Sequence, residues 1–176
     1  GLGYRRALHD AMFSAPAGIF DFVELAPENY VGLGGDWRRR LQAVQARWPI
    51  LTHGLAMSLG GVDPLDAGLV DGVADFLQSV GTPHHSDHLR VSSGGGSHTH
   101  ELLPMPMTRD SARRTAARIR AVQADLSVPF AVENVSAYLR APLPGDAPVG
   151  PDGPEAFSLQ KHGLSIALAG FLTERS

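Results

Sequence analysis

Short apolar runs alternate along this chain with stretches patterned for helix, and three of the runs stop on side chains that bind metals. These are Leu51-Thr52-His53-Gly54, His85-Ser86-Asp87-His88-Leu89 and Val132-Glu133-Asn134. Strand and helix in regular alternation are the pattern of a parallel α/β sheet, whose strands all end at one edge. Ligands collect at that edge. If the three runs are parallel neighbours, an imidazole, a second imidazole and a carboxylate converge there. Two His and one carboxylate suit a borderline divalent metal, with non-haem iron a leading candidate.

The alternation is read as follows. Residues 20–25 form a strand, and Asp36 caps an amphipathic helix carrying Trp37, Leu41, Val44 and Trp48. Residues 49–55 form the next strand. Asp63 and Pro64 open a helix with Leu69, Val73, Phe76, Leu77 and Val80 on one face, closed by Gly81. A strand at 84–91 leads into a Gly/Ser-rich loop at 92–97. Thr108 precedes a helix in which Ala112, Ala116, Ile119 and Val122 recur at helical spacing. A strand at 129–135 follows. The Pro/Gly tract at 142–154 is expected to be a disordered loop, and 155–176 one further helix. Counting residues 1–5 as the tail of a strand gives five βα units, which a five-unit open sheet would also satisfy.

With 43% hydrophobic residues in 176, the chain can bury one ordinary core, and it is read as a single domain. A net charge of −3 offers no electrostatic footprint for nucleic acid or an anionic membrane. The Arg38-Arg39-Arg40 stretch reads as a solvated helix face. Cysteine is absent, so any metal is held by nitrogen and oxygen, and nothing points to secretion; a cytoplasmic protein is expected. No apolar run approaches the roughly 20 residues of a membrane span.

Six motifs occur in one order: Gly1-Leu2-Gly3-Tyr4-Arg5, Glu24-Leu25-Ala26-Pro27-Glu28-Asn29-Tyr30, His53-Gly54-Leu55-Ala56-Met57-Ser58-Leu59-Gly60, Ser86-Asp87-His88-Leu89, Glu101-Leu102-Leu103-Pro104-Met105-Pro106-Met107-Thr108 and Glu133-Asn134-Val135-Ser136-Ala137-Tyr138-Leu139. Together they resemble the multinuclear non-haem iron-dependent oxidative enzymes, a bacterial family long catalogued as of unknown function that includes peptide-modifying oxidases of natural-product biosynthesis. The resemblance implies a TIM-barrel-type α/β fold of which this chain covers about five of eight βα units. It implies two or three iron ions at the barrel mouth, with His53, His88 and Glu133 matching metal ligands. The remaining ligands of the family come from the last three strands, beyond this sequence. Asp87 stands where the family usually has Glu, and Arg90 where an aromatic or apolar residue is more usual. The activity implied is oxidation of a ribosomally made precursor peptide, commonly at cysteine, with dioxygen as co-substrate. A separate partner protein that recognises the peptide's leader is implied as well.

Other residues carry weaker readings. Glu24 and Glu28 are either a paired acid/base unit or, with Pro27 interrupting the strand, Glu28 and Asn29 form a rim around substrate or ligands. Asp87 and Asn134 are candidates for the same surrounding layer. His98 and His100 are either solvated loop side chains or, with Glu101, the edge of a peptide-binding mouth that Gly94-Gly95-Gly96 makes mobile. His9, His84, His85 and His162 have no distinguishing context. Two other functions stay open: a divalent-metal TIM-barrel isomerase or hydrolase, and a truncated, non-catalytic peptide-binding or partner-dependent module.

Overall fold

The structure, a computed structural model, describes residues 1–106 and 108–134. The expected loop at 142–154 and helix at 155–176 lie outside the described residues. In chain order the elements are β1 (Leu2–Gly3), α1 (His9–Ser14), β2 (Val23–Leu25), α2 (Asp36–Arg47), β3 (Ile50–Gly54), α3 (Ala67–Val80), β4 (His85–Leu89), β5 (Val91–Gly94), β6 (Ser97–Leu103), α4 (Arg109–Asp125) and β7 (Phe130–Asn134). Short 3-10 turns cover Arg6–Leu8 and Pro27–Asn29. Five strands form one sheet in the order β1-β2-β3-β4-β7. The pairs β1–β2, β2–β3 and β3–β4 are parallel, with His53 opposite Ser86 and Gly54 opposite Asp87. The His85 N–H bonds the Pro129 carbonyl at 3.0 Å, where β4 meets its neighbour. The fold is α/β with a parallel sheet of alternating strands and helices, as in part of a TIM barrel.

The described residues group into two compact units, with the division falling inside β4 after Asp87 and inside β7 after Ala131. The first comprises Gly1–Ala56, Asp66–Asp87 and Asp125–Ala131. Its core holds Val23, Val44, Val73 and Leu77, none more than 2% exposed. On α3 the buried positions are Val70, Val73, Phe76 and Leu77, spaced so that they share one helical face. The helix begins later than expected: Asp66, not Asp63, is its cap, accepting the Leu69 N–H at 3.1 Å. Gly81 closes it, its N–H bonded to the Leu77 carbonyl. In α2 the cap position is Gly35, and Asp36 is already helical, with its carboxylate paired to Arg39 at 3.1 Å and Arg40 at 2.9 Å. Two arginines one turn on outcompete the backbone N–H groups for that carboxylate.

The second unit comprises Met57–Leu65, His88–Ala124 and the described part of Val132–Ser176. Its buried side chains include Leu59, Ala112, Ala116 and Val122. Thr108 precedes α4 as expected and caps it, accepting the Ser111 N–H at 3.1 Å. The expected Gly/Ser loop at 92–97 is instead ordered as an antiparallel hairpin of β5 and β6. Gly94 pairs with Ser97, so Gly95 and Gly96 form the two-residue turn, and both have positive φ, 61° and 76°. Such turns hold both central residues at positive φ, which glycine adopts without strain, and this converts a run of glycines from a flexible linker into a hairpin signal. Asp63 accepts both turn N–H groups, from Gly95 at 3.2 Å and Gly96 at 3.1 Å. This explains why Asp63 is unavailable as a helix cap. Ser58, buried and at φ 49°, adds a second tie by accepting the Ser92 and Ser93 N–H groups at 2.9 and 3.1 Å.

Candidate metal centre

Side chains alternate between the two faces of a strand, and register carries each face from strand to strand. His53 lies opposite Ser86, so His53, Ser86 and His88 share one face of β3 and β4. Thr52, Gly54, His85 and Asp87 share the other. On β7, neighbour of β4, Glu133 is the penultimate residue.

His53, His88 and Glu133 each offer one ligand atom, and these atoms lie within 4.8 Å of one another. His88 Nε2 is 3.9 Å from a Glu133 carboxylate oxygen. Donors about 2.1 Å from one ion lie at most about 4.2 Å apart, so the widest separation needs a small side-chain rotation to close. The Glu133 side chain is 59% exposed. His53 Nδ1 sits 2.7 Å from Ser86 Oγ. Two imidazoles and a carboxylate at this spacing can hold a borderline divalent ion, and the set contains no soft sulfur ligand.

The opposite face is a closed polar network. His85 is fully buried, and its Nδ1 lies 3.1 Å from Thr52 Oγ1. The Thr52 hydroxyl donates its one proton to the His84 carbonyl at 3.1 Å, so it accepts from His85, which fixes the Nδ1–H tautomer. Nε2 of His85 is buried without a hydrogen-bond partner among the described residues. Burial pushes the His85 pKa down to about 4, against a hydrogen bond to the Thr52 backbone, with His53 and His84 adding smaller repulsions. Its ring stacks on Phe130 at 5.7 Å between centroids. Gly54 packs tightly here: an added Cβ would lie 2.7 Å from an Asp87 carboxylate oxygen, which would have to move.

The remaining candidates are distributed as follows. Asp87 is 1% exposed and alternates to the face opposite His88. Asn134 alternates away from Glu133 and is half-buried. Glu28 does not continue β2; it sits in the 3-10 turn and its Oε1 accepts the Leu55 N–H, two residues after His53. Asn29 is exposed, and its carbonyl accepts from Arg6. Glu24 is exposed on β2. His98 and His100 fall on β6, and their side chains, with that of Glu101, lie outside the described residues. The sequence reading gave no role to Ser86, Thr52 or His85. Period-two alternation was the available signal for Ser86, two residues before His88; nothing in the sequence marks His85 as buried.

A family model described as the RiPP precursor modification enzymes MbnB/TglH/ChrH matches residues 1–144. A UPF0276 protein of Pseudomonas aeruginosa (strain UCBPP-PA14) is 42% identical over 146 residues, 83% of this chain and 50% of that protein. A UPF0276 protein of Neisseria meningitidis serogroup C is 44% identical over 144 residues, 81% of this chain and 51% of its own length. One from Shewanella loihica is 40% identical over 138 residues, 78% of this chain and 49% of that protein. The chain thus spans about half the length of the curated relatives it matches. No helix of the described residues is long and apolar enough to cross a membrane. The motif order, the parallel sheet and the family match agree: the chain belongs to the MbnB/TglH/ChrH family of RiPP precursor modification enzymes.

Proposed function

We propose that this chain supplies part of an iron centre that oxidatively modifies a ribosomally synthesised precursor peptide, with dioxygen as co-substrate. The observation that carries the reading is the approach of His53, His88 and Glu133 donor atoms to within 4.8 Å. Bound by these residues, iron would supply electrons to dioxygen and Lewis acidity toward the peptide's reacting side chain, commonly cysteine. Glu133 offsets part of the metal's positive charge. His53 and His88 present neutral nitrogens, which favour a borderline ion over calcium or magnesium. Glu28, by holding the Leu55 N–H, fixes the backbone just past His53. A centre of two or three ions needs further ligands, which in this reading the rest of a full-length protein provides. A leader-recognising partner protein and a cytoplasmic setting belong to the same reading.

The test is anaerobic loading of the chain with ferrous iron, followed by measurement of bound metal and of thermal unfolding. Glu133→Gln keeps the shape and removes the charge, so iron content is expected to collapse while stability stays nearly unchanged. Equal loss of both would return Glu133 to a structural role. In a full-length form, a mass change in the precursor peptide that persists in His53→Ala would sink the proposed chemistry at this centre.

A further inference from the structure

Of the groups around His53, one has no part in the ligand set and yet is placed by the register itself. Ser86 lies directly across the parallel β3–β4 pair from His53, and its Oγ is 2.7 Å from His53 Nδ1. A one-residue slip would put His85 or Asp87 in its place and turn His88 to the wrong face. We infer that Ser86 is the positioning residue of His53: it accepts the Nδ1–H bond, holds the ring plane and leaves Nε2 as the nitrogen that faces a metal. The inference rests on the reading of His53 as a ligand.

The chemistry of the hydroxyl makes serine suited to this place. A metal-ligating imidazole must present a lone pair on one nitrogen and therefore carries its proton on the other. A carboxylate or carbonyl in the position of Ser86 would accept only and so hold one tautomer permanently. A hydroxyl both donates and accepts, so Ser86 can donate to Nδ1 when Nε2 carries the proton and accept from Nδ1–H when Nε2 turns to an ion. The ring keeps its anchor in either state. Second partners of this kind typically change metal affinity about 10- to 100-fold when removed.

The experiment uses zinc as a diamagnetic probe on the intact chain, comparing wild type with Ser86→Ala, Ser86→Thr and His53→Ala. Ser86→Ala is expected to bind zinc about 10- to 100-fold more weakly, and Ser86→Thr, which retains the hydroxyl, within about 3-fold of wild type. In nitrogen-correlated spectra of the zinc-loaded chain, His53 is expected to show a protonated Nδ1 in wild type and Ser86→Thr. That Nδ1 proton should exchange faster with water in Ser86→Ala. Matched unfolding midpoints establish that the affinity change is not loss of fold. Wild-type affinity in Ser86→Ala beside lost affinity in His53→Ala overturns the role of Ser86 alone. Wild-type affinity in His53→Ala overturns the ligand reading and this inference with it.

Discussion

Strand β4 carries two histidines three residues apart whose surroundings are opposite. His88 shares a face with Ser86 and His53 and approaches Glu133; His85 shares a face with Asp87 and is sealed against Thr52 and Phe130. The same imidazole is therefore available for ligation on one side of the sheet and committed to packing on the other. Strand alternation alone produces the difference, because an odd spacing sends the two rings to different faces. What separates the candidate ligand from the core histidine here is the face each ring occupies.

The largest expected effect comes from changing the same residue type to glutamine at each place. His88→Gln is expected to weaken divalent-metal binding about a thousandfold, or about 4 kcal/mol. Its unfolding free energy should move by about 1 kcal/mol. His85→Gln is expected to leave metal binding near wild type. Isothermal titration with zinc and denaturant unfolding on both variants read the split. Metal binding lost equally in both would erase the contrast between the faces.

Next in size is the pH dependence that His85 imposes. Its folded pKa is about 4 against an ordinary 6.5, so between these values the unfolded chain binds a proton that the folded chain excludes. Stability on this account is complete above about pH 6.5 and falls as the pH drops toward 4. At 1.36 kcal/mol per unit the full loss is about 3 kcal/mol. Unfolding free energies of wild type and His85→Gln, compared across that window, should converge as the pH falls. A constant difference between them would show that His85 is not held neutral by burial.

These two contrasts also mark what the sequence could and could not reveal. Strand ends at His53, His88 and Glu133 were legible because metal-ligand side chains stood where apolar runs stopped. The sheet was legible because apolar periodicity changed between two and 3.6 along the chain. Asp63 misled, since a carboxylate before a Pro looks like a helix start, while its partners, the turn N–H groups of Gly95 and Gly96, lie more than 30 positions away. The glycine run misled for a related reason: two positive-φ residues between pairing strands look identical to a linker until the strands are seen to pair. Alternation could have put Ser86 on the face of His88, but its pairing with His53, like that of Thr52 with His85, comes from register, which composition does not carry.

Thr52→Val sharpens the comparison on the buried side. The substitution keeps the shape and removes the hydroxyl that accepts from His85 Nδ1, while Thr82 Oγ1 still donates to the His84 carbonyl at 2.8 Å. The cost is one of the two contacts His85 makes with Thr52, the one to the backbone being kept, about 1.5 kcal/mol of stability, measured by denaturant unfolding. Zinc affinity should not change. A matching loss of affinity would mean that Thr52, beside His53 in sequence, sets the ligand geometry through the backbone.

The smallest effect tests whether the two faces are mechanically independent. Gly54 directly follows His53 but belongs to the buried face, where an added Cβ would lie 2.7 Å from an Asp87 carboxylate oxygen and 3.1 Å from His85 Cε1. In Gly54→Ala these groups must move. A carboxylate can rotate more readily than backbone can shift, so the expected cost is about 1 kcal/mol, at the low end for overpacking. If the side chains absorb the strain, His53 stays in place and zinc affinity holds. If β3 itself is displaced, His53 moves with it, and affinity drops by more than the stability loss accounts for. Unfolding and zinc titration on Gly54→Ala therefore decide whether the buried histidine network merely fills the opposite face or sets the position of His53.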